Sequence, residues 1–508
     1  MKDIANLVRI VTSRSVSSVP ILDLHSGKSN KENKFITALL DIPEATQLQI
    51  VKAIYGKANT PNVRAMQRLQ SRVQAKLLNQ LYFLDHSDPR HLVSRRHQLE
   101  CLDLLHKVSI LFAEGEYTLT ERLLQRCLRL AQAGEFTDYT VQCARMMRTL
   151  YAEQRQSLRY QKVAKLLLKA QQLMAWEDEA ERIYSVTQLA LARTVSSRRA
   201  VLPLVPGYID QLDALHRRAR TFSTFNYLYR LRLVYEELKG NYPEIIRLTA
   251  TAARRLQDGK LNERRFDKRY NHFMSIYAHL HNRQPLQGLK LAQVYVRDFH
   301  PSSSNWFYFQ EHHLLLALHA EHYDYAQQLL YTTSKNPAYL KQRAAALERW
   351  DLYRGYIEFV RPAQRVGLAR RKQLAQWVLT LPEFSRDKRG HNVAILVLQL
   401  LHLLRERNLE EVLVRLERLR KYQQRHLRES NMLRIRLFLR LLQVIVEKNF
   451  DANGAMERGK ALLQQLRETP PPGAAFAEVE IIPYEHLWSL VLDLLREGPP
   501  VAHEELNS

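Results

Sequence analysis

Four cations recur at four-residue steps near the start of the chain: Arg64, Arg68, Arg72 and Lys76. On a helix that spacing sets them in a single stripe, while Met66, Leu69, Val73 and Leu77 fall on the opposing face. No Asp or Glu occurs from Ala45 to Leu84. A solvated helix normally intersperses acids with its bases, because pairs four residues apart steady it. An all-basic stripe suits phosphate contact instead, and Gln67, Gln70 and Gln74 beside it carry the groups that read base edges. The same spacing also suits an ordinary amphipathic helix docked with its charged edge in water.

Other candidate chemistry is thinner. His279, His281, His312, His313, His319 and His322 crowd one region, yet their order is not HExxH and no cysteine or carboxylate completes a metal set. No phosphate-loop, dinucleotide-fold or nucleophile-elbow pattern occurs, so the chain reads as a protein without catalysis or a cofactor. Cys101, Cys127 and Cys143 have no CxxC spacing, and an odd number cannot all pair, which predicts buried free thiols in a reducing compartment. Two aromatic-rich stretches are interleaved with arginines, Phe222 to Tyr235 and Tyr295 to Phe309. Most of these rings suit contacts between helices. Tyr227 and Tyr308 are the two whose neighbours already supply a buried face, and with the cluster Arg264-Arg265 they form the predicted partner-binding set.

Composition frames these residues. The chain has 508 residues, of which 46% are hydrophobic and 25% charged, and a net charge of +24. That length exceeds a single compact core. Only 15 residues are glycine, roughly 3% against an ordinary ~7%, which disfavours the turn-rich β folds and nucleotide-binding α/β folds. The excess positive charge favours anionic partners without choosing among them. Further basic clusters, Arg217-Arg218 with Arg220, Arg370-Arg371-Lys372, and Arg386 with Lys388-Arg389, read as helix ends. Residues 1–14 lack the unbroken apolar core of a signal peptide, and the longest apolar run, Val393 to Leu404, is too short to span a bilayer. The expectation is a cytoplasmic protein without membrane attachment.

Helical periodicity runs almost end to end, so the elements positioning these residues are helices. Glu114-Gly115-Glu116-Tyr117 reads as a stop followed by an aromatic opening, and the device returns at Lys239-Gly240-Asn241-Tyr242, Glu321-His322-Tyr323 and Lys448-Asn449-Phe450. With turns at Leu158-Arg159-Tyr160, Gln284-Pro285 and Leu409, the intervals are about 40 residues or multiples of it. The unit from Trp306 to Pro337, with Leu314, Leu318, Tyr323, Ala326 and Leu330, resembles a tetratricopeptide repeat; most other units are longer and lack the early Trp.

That resemblance implies an all-α, right-handed solenoid of about eight or nine hairpins over 91–467, with a concave surface that holds a protein or peptide partner. Residues 1–40 read as a short helix and flexible connection. Residues 41–90 form a small basic module, helix Ala45–Tyr55, a turn, and a second helix from Asn62. It resembles the small DNA-binding domains placed before helical repeats in some bacterial activators, and carries the alternative of a nucleic-acid-associated regulator. Residues 468–508 read as an extended loop, a capping helix around Leu487 to Leu495, and a tail.

Overall fold

A computed structural model describes residues 2–14, 21–22, 30–41, 46–84, 92–192, 200–360, 377–378, 391–405, 409–426, 433–470 and 480–496. Among them the chain is all-α, with 21 α-helices and no strand. Most helices pack mainly on their neighbours in sequence.

Four helices open the chain: α1 (Lys2–Arg14), α2 (Lys31–Asp41), α3 (Gln47–Tyr55) and α4 (Thr60–Gln80). Helix α3 starts with a capping box in which Thr46 and Gln49 satisfy each other's backbone amides, and α4 starts on an Asn59 cap with Pro61 in its first turn. Helices α2 to α4 share a small separate core of Phe35, Ile50, Val51, Met66, Leu69 and Val73. Leu77, expected on that face, is instead exposed. Residues 31–34, read from sequence as connection, already belong to helix α2; the preceding serine-rich residues 15–20 and 23–29 lie outside the described residues.

The next run is α5 (Val93–Ala113), α6 (Tyr117–Ala133), α7 (Thr137–Glu153) and α8 (Ser157–Leu191). Gly115, Glu135 and Arg155 hold positive φ at successive helix ends twenty residues apart. At each, an amide three residues past the helix donates to a carbonyl of its last turn: Glu116 N–H to Leu111 O, Phe136 N–H to Ala131 O, and Gln156 N–H to Tyr151 O, at 2.8–2.9 Å. This double cap stops one helix and aims the next. Only the first site has its glycine at the positive-φ position; the second has Gly134 one residue earlier, and the third has none. The turn expected at Leu158-Arg159-Tyr160 therefore lies at 154–156, and Tyr160 is inside α8. Helix α8 is 35 residues long, so it is not a repeat-length helix; its first half closes the core around Leu124, Met147 and Leu167, and its second half enters the next.

Then follow α9 (Val205–Ala219), α10 (Phe222–Lys239), α11 (Tyr242–Gln257), α12 (Lys268–His281), α13 (Pro285–Tyr295), α14 (Ser304–His319), α15 (Tyr323–Ser334) and α16 (Ala344–Val360). Alternate helices also touch, α8 with α10 and α12 with α14. The same cap recurs at Gly240, Gly259, Arg283 and Glu321.

The largest core runs from Ile276 to Leu492 and is completed by α17 (His391–Arg405), α18 (Leu409–His426), α19 (Leu433–Glu447), α20 (Ala452–Glu468) and α21 (Tyr484–Arg496). Val393 to Leu404 is buried on every side of α17, which is why the stretch is apolar but for Gln399 and His402. Gly355 of α16 lets α17 approach: a Cβ there would meet Leu398 at 2.6 Å. Helix α21, the expected capping helix, rests on α17, α19 and α20. Among the described residues no helix is long and apolar enough to cross a membrane.

Candidate binding surface

Helix α12 carries Tyr270, Phe273 and Tyr277 at steps of three and four residues, hence on one face, and all three are half-buried. Each reaches a neighbouring helix. The Arg230 guanidinium of α10 lies 4.7 Å over the Tyr270 ring. Phe273 and Tyr277 contact His312 of α14 with ring centroids 4.8 and 5.7 Å apart. Three residues before Arg230, Tyr227 meets Tyr184 of α8 at 5.4 Å. One turn before His312, Tyr308 receives the Arg349 guanidinium of α16 at 5.8 Å. Linked by these contacts and by helical spacing, the side chains make one continuous seam of rings and guanidiniums across α8, α10, α12, α14 and α16.

Partners beneath the seam fix its geometry. Tyr229, one residue from Arg230, is buried, and its hydroxyl donates to Asn271 at 2.6 Å, joining α10 to α12. Glu311, fully buried, accepts both arms of Arg349 at 2.8 and 2.9 Å and so orients that guanidinium over Tyr308. Since its partner is a carbonyl, His312 Nδ1 carries the proton and donates to Tyr308 O at 3.0 Å, leaving Nε2 as an acceptor. Burial holds this imidazole below its usual pKa, so it is neutral at pH 7. Burial likewise raises the Tyr227 and Tyr270 phenols, which stay protonated donors.

The two tyrosines singled out from sequence sit near opposite ends of this seam, with Tyr308 47% exposed and Tyr227 half-buried. The basic pair behaves differently. Arg265 lies inside the fold: it donates to Glu135 O at 2.6 Å, Gly134 O at 3.3 Å and Ser223 Oγ at 3.2 Å, between the rings of Phe136 and Phe222. Arg264 is half-buried, and together with burial its charge holds His97 of α5 below the usual imidazole range. Neither belongs to the seam. The members that sequence reasoning missed, Tyr184, Arg230, Tyr270, Phe273, Tyr277, His312 and Arg349, carry one legible signal, the three-four spacing along α12.

The basic stripe on α4 is also altered. Glu32 of α2 accepts from Arg72 at 2.7 Å and Lys76 at 2.9 Å, and the Lys76 hydrogen bond leads in holding this carboxylate below the usual range. The acid missing from 45–84 is supplied from outside that window. Arg64 and Arg68 remain exposed, as do Gln67, Gln70 and Gln74. The clusters at 370–372 and 386–389 lie outside the described residues.

Among the described residues no three His, Cys, Asp or Glu side chains converge as metal ligands would. The histidines are engaged singly. His279 donates to Ser275 O, His319 to Glu480 O, and His313 bridges Gln310 and Tyr325. All three cysteines are free thiols and buried; the contact with Cys127, then burial, raise Cys101, while Cys127, lowered by Cys101, is carried up to about 12 by Cys143 and burial, so both stay un-ionised. Compared with known proteins, the chain matches no family model, and no curated protein or solved structure is significantly similar to it.

Proposed function

We propose that this chain is a non-enzymatic binding protein, a right-handed solenoid of tetratricopeptide-like hairpins that holds a peptide or protein partner on its concave face. The observation that carries the reading is the seam: half-buried rings and oriented guanidiniums continue across five alternate helices, Tyr184 to Arg349. Aromatic and arginine side chains that are already ordered lose little entropy on docking, and they dominate the energetics of protein interfaces. The twenty-residue spacing of the caps at Gly115, Glu135 and Arg155 supports two helices per period of about 40. Cross-linking and mass spectrometry of tagged full-length protein should recover a partner that the Tyr227→Ala, Tyr308→Ala double variant loses and the Arg64→Glu, Arg68→Glu variant keeps. A partner retained equally by both variants would sink the reading.

The alternative is a nucleic-acid-associated regulator, supported by Arg64 and Arg68, exposed beside three glutamines on α4. With Arg72 and Lys76 both held on the single carboxylate of Glu32, Arg64 and Arg68 are the two cations of that stripe left for phosphate. Duplex DNA binding that steepens at low salt and disappears with Arg64→Glu, Arg68→Glu would favour it.

A further inference from the structure

Away from the seam, α9, α10 and α11 enclose a groove made of two adjoining clefts, of about 250 and 360 Å³. Arg232, Arg247 and Leu248 line both. The inner cleft adds Arg255, Thr251, His216 and Phe225, and the outer adds Tyr235, Asp210, Glu236 and Glu244. Arg247, Thr251 and Arg255 follow at steps of four and therefore form one wall.

The ends of the groove differ in charge. At the inner end, Asp213 is the only lining carboxylate, and it is divided between Arg217 at 2.8 Å and Arg232 at 3.3 Å. Arg255 makes no ion pair among the described residues and instead lies 4.7 Å from the Phe225 ring. His216 is bonded to Thr224 at 3.0 Å, and burial, then Arg255, lower its pKa, so the positive charge at this end comes from the arginines. At the outer end, Glu244 is clasped by Arg247 and Glu236 accepts from Asn241, whereas Asp210 is exposed one helical turn from Asp213.

We propose that this groove binds a phosphorylated sugar, its phosphate against Arg255 and Arg232 and its hydroxyls against Asp210 and Glu236. Forked guanidinium donors match phosphate oxygens, and carboxylates are acceptors only, which suits hydroxyl donors beside the Tyr235 ring. The combined volume is that of a small-molecule site.

Calorimetry on the full-length chain at about 0.15 M salt, where long-range attraction by the net charge is largely screened, tests this. The probes are glucose 6-phosphate, inorganic phosphate and glucose. Glucose 6-phosphate should saturate about tenfold more tightly than phosphate, and glucose should not saturate at all. Arg255→Gln should weaken both anions about tenfold or more, while Asp210→Asn, an exposed and structurally mild change, should weaken glucose 6-phosphate alone. The proposal is overturned if wild-type protein binds none of the probes at about 10 mM, or binds phosphate as well as the ester. An equal loss in the remote Arg64→Gln, Arg68→Gln variant would also overturn it, by marking the binding as general charge attraction. The seam variant Tyr227→Ala, Tyr308→Ala should leave this binding unchanged, so the two sites stand or fall separately.

Discussion

Arg434 of α19 is a cation held inside the fold, 1% exposed. Its guanidinium binds Glu480 and Glu485 and donates to Leu466 O and Thr469 O at 2.7 Å, tying the end of α20 and the start of α21 to α19. Arg434→Met leaves the largely buried Glu480 without its cation and Glu485 with Arg283 alone, and should cost about 3–5 kcal/mol in urea unfolding. Arg434→Lys should rescue little, since a point charge cannot bridge four acceptors in a plane. Histidines set the acid limit. His313 and His402 are almost fully buried, and burial brings each down to about 4 from an unfolded value near 6.5. Between those values the unfolded chain binds more protons, so stability is present above pH 6.5 and declines as pH falls towards 4. The loss is up to roughly 3 kcal/mol per histidine. Glu177 and Glu237, raised by burial, act in the opposite sense and offset part of it. Melting curves from pH 7 to 4 should fall in wild type and fall less in His313→Gln; an unchanged slope would remove His313 from the account.

Helices here are ended by one recurrent cap, and its residue type varies more than its geometry. Gly115, Gly240 and Gly259 take positive φ without strain, whereas Glu135, Arg155, Arg283 and Glu321 take it at a cost of about 1–2 kcal/mol each. At three of the four a side-chain role accompanies the strain. Glu135 accepts from Phe222 N at 2.7 Å and from Asn262, Arg283 pairs with Glu485, and Glu321 meets His486. Arg155 is exposed. Arg155→Gly should therefore raise stability by roughly 0.5–1 kcal/mol, net of the added unfolded-state entropy, while Gly115→Ala should lower it by about 1 kcal/mol. Thermal melts of the two variants check both signs. The cap also explains what the sequence shows at this level. Glycine followed by an aromatic residue marked the turns at 115 and 240, but a strained Arg155 carries no such mark, and the turn there was expected four residues late.

Across the whole molecule, one polar knot joins parts far apart in sequence. The Glu135 turn between α6 and α7 receives Arg265, Asn262 and the first amide of α10, contacts spanning 87 to 131 residues. These contacts couple the core around Leu124 to that around Leu233 without merging them. Arg265→Ala leaves the 134–135 carbonyls short of a donor and takes a nearby positive charge away from Glu177. It should cost about 2–4 kcal/mol and split a single unfolding transition into two, read by hydrogen exchange in α6–α7 against α10–α12. Loss of stability with one transition retained would mean that the cores are coupled elsewhere.

The all-helical class, the stops at Gly115, Gly240 and Glu321, the helix around Leu487 to Leu495 and the helix pair from Trp306 to Pro337 were legible because each is written in local periodicity and turn chemistry within a few residues. Burial of the three cysteines was legible for the same reason, from the apolar steps around them. What surrounds a charge is not local. Arg64 to Lys76 read as a bare stripe until Glu32 arrived from another helix; Arg265 read as a surface cation until it closed on a turn 130 positions away; and Tyr227 and Tyr308, distant in sequence, became one seam only through Tyr270 to Tyr277 between them. Periodicity fixes which face of a helix a side chain occupies, but only tertiary packing decides what that face meets.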